Sequence, residues 1–545
     1  MSNRWSRIGL GVFCLGLVFT KGGVTPPLQA ADDPAALGAL IDRAIADGYA
    51  VHKATPAPLA DDAEYLRRVY LDLAGRIPRN AEVRQFLDDK APDKRVRVVN
   101  DLLKSGQYVN HMTHVWRTLL MPQSNNPQVQ VLAPAMEVWL RKRLTDNTPY
   151  DRMVRDLLTT NVVQNQAMRQ GFNAAGPVDN TGQAFFQANE LKPENLAAAT
   201  SRLFLGVKLE CAQCHDHPFA KWTRKQFWES AAFFSGVGPQ APQQGQVVDD
   251  DGGLIPASDA AHRHDIKMPN SEKVIQARFL DGKKPVWKED VPTRVALAEW
   301  MTSPDNPYFA RAAVNRVWAH LFGVGLIDPP DDLREDNPPS HPELLDALAR
   351  AFVEHHYDLQ YLIRAITSSK TYQRTSAVDG PADDPRLFTR MSVKGLTAEQ
   401  LYDSLAIATG FADENGAYVD PNGAVFGGGP RAEFLAKFNN VADRRTETQT
   451  SILQALSLMN GRITADATHV TRSKALAGII DSPFMHERQK LDALYLCALS
   501  RPMRDDEAER LVAYVKKGGP DGDGRKALAD VFWALLNSSE FIFNH

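Results

Sequence analysis

The 545-residue sequence predicts a mainly α, multi-helical architecture in two parts, with a small β-hairpin region near their junction. Three observations carry that prediction. Apolar residues recur at three-and-four spacing in several segments, some opened by capping signals, as in helices that bury one face. Residues 237–270 are rich in Gly, Pro, Gln and Asp and read as a linker or long excursion between two such regions. About 515 residues remain after an N-terminal leader, more than one hydrophobic core usually serves. The expected organisation is a signal peptide over 1–30, a helical domain over 31–240, a linker with a hairpin over 241–290, and a second helical domain over 291–545.

The leader comes first. Arg4 and Arg7 precede the apolar run Ile8 to Phe19, too short to span a bilayer but suited to a signal-peptide core. Gly22, Gly23, Pro26 and Pro27 break it, and Ala30 followed by Ala31 offers a small residue at the cut. The mature chain is expected to be soluble and periplasmic or otherwise extracytoplasmic, with no transmembrane segment; an uncleaved leader is the alternative. A lipid anchor at Cys14 is disfavoured, because bulky Phe13 precedes it in the middle of the run. With 62 Lys and Arg against 66 Asp and Glu, the formal charge of −4 gives no reason to expect nucleic acid or an anionic membrane as partner.

In the first part, Leu196, Ala199, Thr200, Leu203, Phe204 and Val207 form a helical stripe, with Pro193 and Glu194 at its start and Gly206 at its end. Then comes Cys211-Ala-Gln-Cys-His215, the CxxCH pattern of c-type haem attachment. Two intervening residues let both sulfurs reach one porphyrin edge, and the adjacent imidazole falls beneath the iron. Cys211, Cys214 and His215 are therefore the candidate haem c residues, with His215 the axial ligand to iron. Downstream, Thr223 and Gln226 match a capping box and open a second stripe of Phe227, Trp228, Ala231 and Phe234. Phe219, Trp222, Phe227, Trp228, Phe233 and Phe234 are candidates for an apolar wall around the ring; ordinary core packing is the competing reading.

The opposite face of the iron decides function, since two strong ligands favour electron transfer and an open position permits peroxide, oxygen or nitrogen-oxide chemistry. His111, His114, Met112, Met121, His262, His264, Met268 and His320 are the candidate second ligands. His217 lies too near His215 to swing to the far face and suits a propionate contact, a helix-start cap or another metal site. Cys211, Cys214, His215 and His217 together make zinc the alternative cofactor, although structural zinc normally joins two separated ligand pairs. A thioredoxin-like dithiol lacks the expected strand-helix surroundings. Without the leader's Cys14, Cys497 is left over in an apolar run and reads as a buried small hydrophobe.

In the second part, Asp281-Gly282 between Lys273–Leu280 and Lys284–Trp287 signals the hairpin. Ser340-His-Pro-Glu343 matches a capping box before a helix facing inward through Leu344, Leu345, Leu348 and Phe352. Leu528, Val531, Phe532, Leu535 and Leu536 repeat the pattern near the end. Asp328, Asp331, Asp332, Glu335 and Asp336 read as a calcium loop or, more simply, as a solvated loop paired with Arg334. Asp521 to Arg525 places Arg at the third position of a calcium loop and is set aside. Asn315, Arg316, Trp318 and His320 are a polar-site candidate, with Trp318 core by periodicity and Arg316 equally suited to helix ends. Tyr70-Leu71 with Arg76 and Pro78 recurs as Tyr495-Leu496 with Arg501 and Pro502, through duplication of a helical hairpin or by coincidence. No nucleophile elbow, Walker loop, dinucleotide fingerprint or HExxH pair is present.

Cys211-Ala-Gln-Cys-His-Asp-His-Pro-Phe219, with Lys221-Trp222-Thr223, Ala231 to Phe234 and the opening Tyr65 to Pro78, resembles the cytochrome-motif domain of large secreted planctomycete proteins. Ser303 to Arg311, Val314 to His320, Asn337 to Leu345 and Trp533 to His545 are similar to that domain's usual C-terminal companion. Both are domains of unknown function, so the resemblance implies an architecture rather than a reaction. Many such relatives carry a further N-terminal cytochrome-like domain, for which Ala31 to Tyr65 leaves no room, so one haem motif at most is expected. The expected function is extracytoplasmic redox chemistry, with electron transfer ahead of catalysis, and a redox partner protein or cell-envelope component as partner. The alternative is a zinc-stabilised interaction or scaffold protein of the cell envelope, its second half recognising a surface or polysaccharide partner.

Overall fold

The computed structural model describes residues 33–122, 127–162, 181–218, 220–237, 247–248, 254–255, 263–288, 291–377, 384–410, 430–438, 459 and 461–545. The predicted leader, with Cys14, lies outside the described residues, as do Phe219 and His262. The fold is mainly helical, 61% helix, with short antiparallel strand pairs. Among the described residues no helix is long and apolar enough to cross a membrane.

The helices sort into two hydrophobic cores. The first takes buried side chains from Leu37 to Met391, so residues on both sides of the 237–270 stretch share it. The second is built from Leu401 to Phe541 together with Leu71 and Ile77 from the N-terminal region. Helix Asp62–Ala74 stands between the two.

That helix carries two adjacent, fully buried arginines, a rare placement that requires every guanidinium hydrogen bond to be made inside the protein. Arg67 donates to the carbonyls of Ala498 (3.1 Å), Glu540 (3.2 Å) and Phe541 (2.8 Å). Arg68 donates to the carbonyls of Tyr372 (2.6 Å) and His545 (3.1 Å) and to Glu64 Oε1 (2.7 Å). One turn on, buried Asp72 accepts from Lys394 Nζ (2.7 Å), Asn544 Nδ2 (2.8 Å) and the Tyr372 hydroxyl (2.9 Å). Strand Lys394–Gly395 pairs with Phe543–Asn544 beside it, so residues more than 450 positions downstream close over this helix.

The faint repeat is a structural one. Helix Asp62–Ala74 and helix Asn80–Asp88 are joined through left-handed Gly75 (φ 67°). Helix Glu487–Leu499 and helix Asp505–Lys517 are joined through left-handed Ser500 (φ 61°). Arg76 forks onto both Glu82 oxygens at 2.9 Å, and Arg501 forks onto both Glu507 oxygens at 2.8 Å. Each guanidinium also lies 5.2 Å from the ring centroid of its own tyrosine, Tyr70 or Tyr495. In both turns the glutamate accepts a backbone N–H, from Arg79 at 2.6 Å and from Arg504 at 2.7 Å. The hairpins exchange side chains across their contact: Leu71 and Ile77 enter the second core and Leu496 enters the first. The ion pair, the cation–π contact and the cap thus recur at matching positions of the two hairpins.

Two local expectations are corrected. The hairpin pairs Asp265–Lys267 with Val274–Gln276 in antiparallel register, rather than the segments flanking Asp281-Gly282. Its turn is made at Asn270, in the left-handed region at φ 56°, while Asp281-Gly282 closes a separate small loop in which Gly282 N–H donates to Phe279 O. The helix after Ser340 begins at Pro342, and His341 is its N-cap residue with no side-chain cap hydrogen bond. Proline at the first helical position fixes the start, so the capping box shifts out of register.

Candidate functional site

The motif loop is mounted on a helix that ends abruptly. Helix Pro193–Thr200 runs into a π-helical turn, Ser201–Leu205, which left-handed Gly206 (φ 67°) terminates. Such turns are rare and recur at functional sites. Half-buried Arg316 donates to the terminal carbonyls of Arg202 (3.2 Å) and Leu203 (3.4 Å), the helix-end role its sequence position allowed. Gly206 serves two needs. A side chain there would meet Leu333 Cδ1 at 2.5 Å, and Leu333 N–H donates to Gly206 O at 2.8 Å.

Glu210–Gln213 then forms a 3₁₀ turn with Ala212 buried beneath it. Cys211 and Cys214 are unbridged thiols exposed on its surface. The turn is held from below by Trp228 Nε1, which donates to Gln213 O at 3.1 Å, and by Arg224, which reaches the same carbonyl at 3.4 Å. Arg224 N–H also donates to Asp216 Oδ1 (2.8 Å), at the start of a helix whose Thr223–Gln226 capping box is formed as expected. His215 is exposed, and its Nδ1 lies 2.7 Å from Asp216 O. A carbonyl only accepts, so this contact places a proton on Nδ1, and Nε2 is the nitrogen that could ligate a metal.

These residues fit one half of a covalent haem site: two accessible thiols and an imidazole fixed in the ligating tautomer. The enclosing half is not built as the sequence suggested. Phe227, Phe233 and Phe234 are completely buried, Phe233 stacking on Phe279 at 5.3 Å, and Trp228 is spent on the motif backbone. They are core, because their helix packs inward against Pro193–Thr200. Of the described wall candidates, Trp222 borders the cavity beside the motif, while Phe233 and Phe234 line a much smaller one among core residues. The motif loop is therefore a surface feature.

The second-ligand candidates separate by position. Met112 and Met121 are buried in the first core. His111 packs against His320 at 5.7 Å and against Gly75, and His320 Nε2 lies 3.0 Å from Asp72 O, within the helix contact. Burial pushes the imidazole of His114 below its ordinary value, against the pull of Glu137 and Glu399. His264 stacks on Trp287 at 4.5 Å. Met268 is buried at the hairpin turn, next to Pro269, whose carbonyl accepts from Arg224 at 2.8 Å. His217 is half-buried, its backbone N–H donating to Trp222 O at 2.8 Å. Among the described residues no three His, Cys, Asp or Glu side chains converge as a metal site, so Cys211, Cys214, His215 and His217 do not form the tetrahedral set that the zinc alternative requires.

The acidic loop was only partly legible. Asp332 and Asp336 both pair with Arg334 at 3.2 Å, the solvated-loop reading rather than the calcium one. Unanticipated was its reach across to the motif: Asp331 pairs with Lys208 at 3.1 Å and Glu335 with Lys221 at 2.7 Å, one on either side of CxxCH. Basic residues flanking the motif and a distant acidic run were the available signal. Asn315 holds the loop's base, accepting from Ile327 N–H at 2.9 Å and donating to Ile327 O at 2.8 Å, and Trp318 is core, stacked on Phe322. A cavity of about 610 Å³ opens between the Pro218–Trp222 segment and the acidic loop. Cys497 is partly buried against the second core, which raises its thiol pKa.

Two family models match the chain. PSCyt2, a protein of unknown function (DUF1549), covers residues 40–238, and PSD1, a protein of unknown function (DUF1553), covers residues 293–424. No curated protein and no solved structure shows significant similarity.

Proposed function

The chain belongs to the planctomycete cytochrome-like proteins in which a PSCyt2 domain is followed by a PSD1 domain, and on that premise we propose that it is an extracytoplasmic haem c protein that transfers electrons. Cys211 and Cys214 would form the two thioethers and His215 Nε2 the axial bond. When bound, haem supplies one-electron redox chemistry. The chain's own contribution is orientation: Asp216 O fixes the His215 tautomer, while Trp228 and Arg224 hold the Gln213 carbonyl that anchors the turn. The observation that carries the reading is the tethered imidazole beside two exposed thiols. Exposure favours electron transfer, because a partner can approach the ring edge directly, over catalysis that needs a water-excluding pocket.

Coexpression with a haem-attachment system is the test. Expected is a red protein whose Soret band survives denaturation and acid-acetone extraction, with weakened attachment in Cys214→Ser and an altered spin state in His215→Ala. Exported protein at the bare polypeptide mass, or colourless protein with stoichiometric zinc, overturns the proposal.

A further inference from the structure

The cavity beside the motif has a composition that the haem reading does not use. Its lining begins at Pro218 and does not include Cys211, Cys214 or His215. At about 610 Å³ it lies within the ~300–1,000 Å³ range of small-molecule sites. One wall is aromatic: Trp222 and Tyr308 meet edge-on, with ring centroids 6.5 Å apart. The other is polar and planar, made by Arg311, Arg334, Asp336 and Asn337.

The charges decide what such a wall attracts. Each cation already has a carboxylate: Arg334 has Asp332 and Asp336, Arg311 has Asp346 at 3.2 Å, and Lys221 has Glu335 at 2.7 Å. A free anion or cation would have to displace a formed ion pair. A neutral ligand would not. The ion pairs of Arg311 and Arg334 run through Nε, and a guanidinium carries further N–H donors in a fixed fork. Asn337 spends its Nδ2 hydrogens on Asp328 O (3.3 Å) and Asp332 O (3.0 Å), which turns its Oδ1 into a pre-oriented acceptor. Burial raises the Tyr308 phenol above its ordinary value, so it stays a neutral O–H donor.

Paired planar donors and acceptors facing aromatic rings, with no unmet charge, suit a ligand that has apolar C–H faces and a rim of hydroxyls. We propose that the cleft between Tyr308 and the 328–339 loop binds a neutral oligosaccharide, stacked on Tyr308, which buried Trp222 backs edge-on, and hydrogen-bonded by Arg311, Asp336 and Asn337. The proposal stands apart from the haem, whose attachment residues lie outside the cavity. It gives the junction between the two matched regions a ligand that touches both.

The full-length protein, as purified, is titrated calorimetrically and by tryptophan fluorescence with xylo-, cello- and chito-oligosaccharides, with a sulfated oligosaccharide and inorganic sulfate alongside. Expected is saturable binding of at least one neutral series. Tyr308→Ala should weaken binding about tenfold or more, as loss of one stacked ring predicts, and Tyr308→Phe should retain most of it, with haem content and helical circular dichroism unchanged in both. No binding of any neutral oligosaccharide to the unmodified protein overturns the proposal. So does binding of sulfate or the sulfated sugar alone, or neutral-sugar binding that Tyr308→Ala leaves intact in a folded variant.

Discussion

The contact of Gly206 with Leu333 locks the end of the motif-bearing helix to the acidic loop, and its strength follows from the structure. Alanine at 206 must adopt φ 67°, at a cost of about 1–2 kcal/mol for a residue with a Cβ. Its methyl would also sit 2.5 Å from Leu333 Cδ1, and overpacking of that kind adds about 1–3 kcal/mol. Gly206→Ala should therefore destabilise by roughly 2–5 kcal/mol. Leu333→Ala alone, at a side chain 9% exposed, should cost about 2–4 kcal/mol. With leucine gone the clash disappears, so Gly206→Ala in that background should cost only the backbone term. The double mutant is then more stable than additivity predicts by about 1–3 kcal/mol. Urea unfolding of all four proteins, followed by far-ultraviolet circular dichroism with unchanged m-values, measures the cycle. Additivity within about 0.5 kcal/mol would refute the reasoning, because it would mean the two side chains never meet.

Three further outcomes are expected. Arg501→Lys should destabilise by about 1–3 kcal/mol and more than Arg76→Lys, because Arg501 also forks onto Glu540 at 2.6 and 2.9 Å; equal chemical-denaturation midpoints for the two variants would count against the clamp. Lys394→Met strands the buried Asp72 carboxylate and should cost about 3–5 kcal/mol, with Asp72→Asn in the same chain recovering part of it; calorimetric melting reads both. Burial, with His52 and Arg386 nearby, holds the His341 imidazole down to about 4 from its ordinary 6.5. The unfolded chain thus takes up the proton first, so this stability is complete above pH 6.5 and is lost as pH falls towards 4. Urea midpoints at about pH 7 and about pH 5 should differ less in His341→Gln than in the parent.

Local chemistry was readable where it was self-contained. The Thr223–Gln226 box, the stop at Gly206 and the inward stripe of Leu344 to Phe352 all involve residues within a few positions of one another, and each formed. The hairpin failed on competition between turns: Asp281-Gly282 carries the stronger dipeptide signal, but Ile275 is buried only when Val274–Gln276 pairs back onto Asp265–Lys267. The aromatic stripe after the motif failed for a related reason, since periodicity states that a face is buried without saying against what. The motif's own geometry was legible in its spacing. Its neighbours were not, because Lys208–Asp331 and Lys221–Glu335 join segments more than one hundred positions apart along the chain.

The grip of Arg67 and Arg68 on residues 498, 540, 541 and 545 ties folding to the schedule of synthesis. More than four hundred peptide bonds separate the partners, and at roughly 5–20 residues per second a ribosome needs on the order of half a minute or more to deliver the second set. Throughout that interval Arg67 has none of its receiving carbonyls and Arg68 has only Glu64 and, later, Tyr372, so the helix docks fully only once residues 498–545 are made. A chain truncated before residue 540 should stay open around this helix and be cut more readily by proteases.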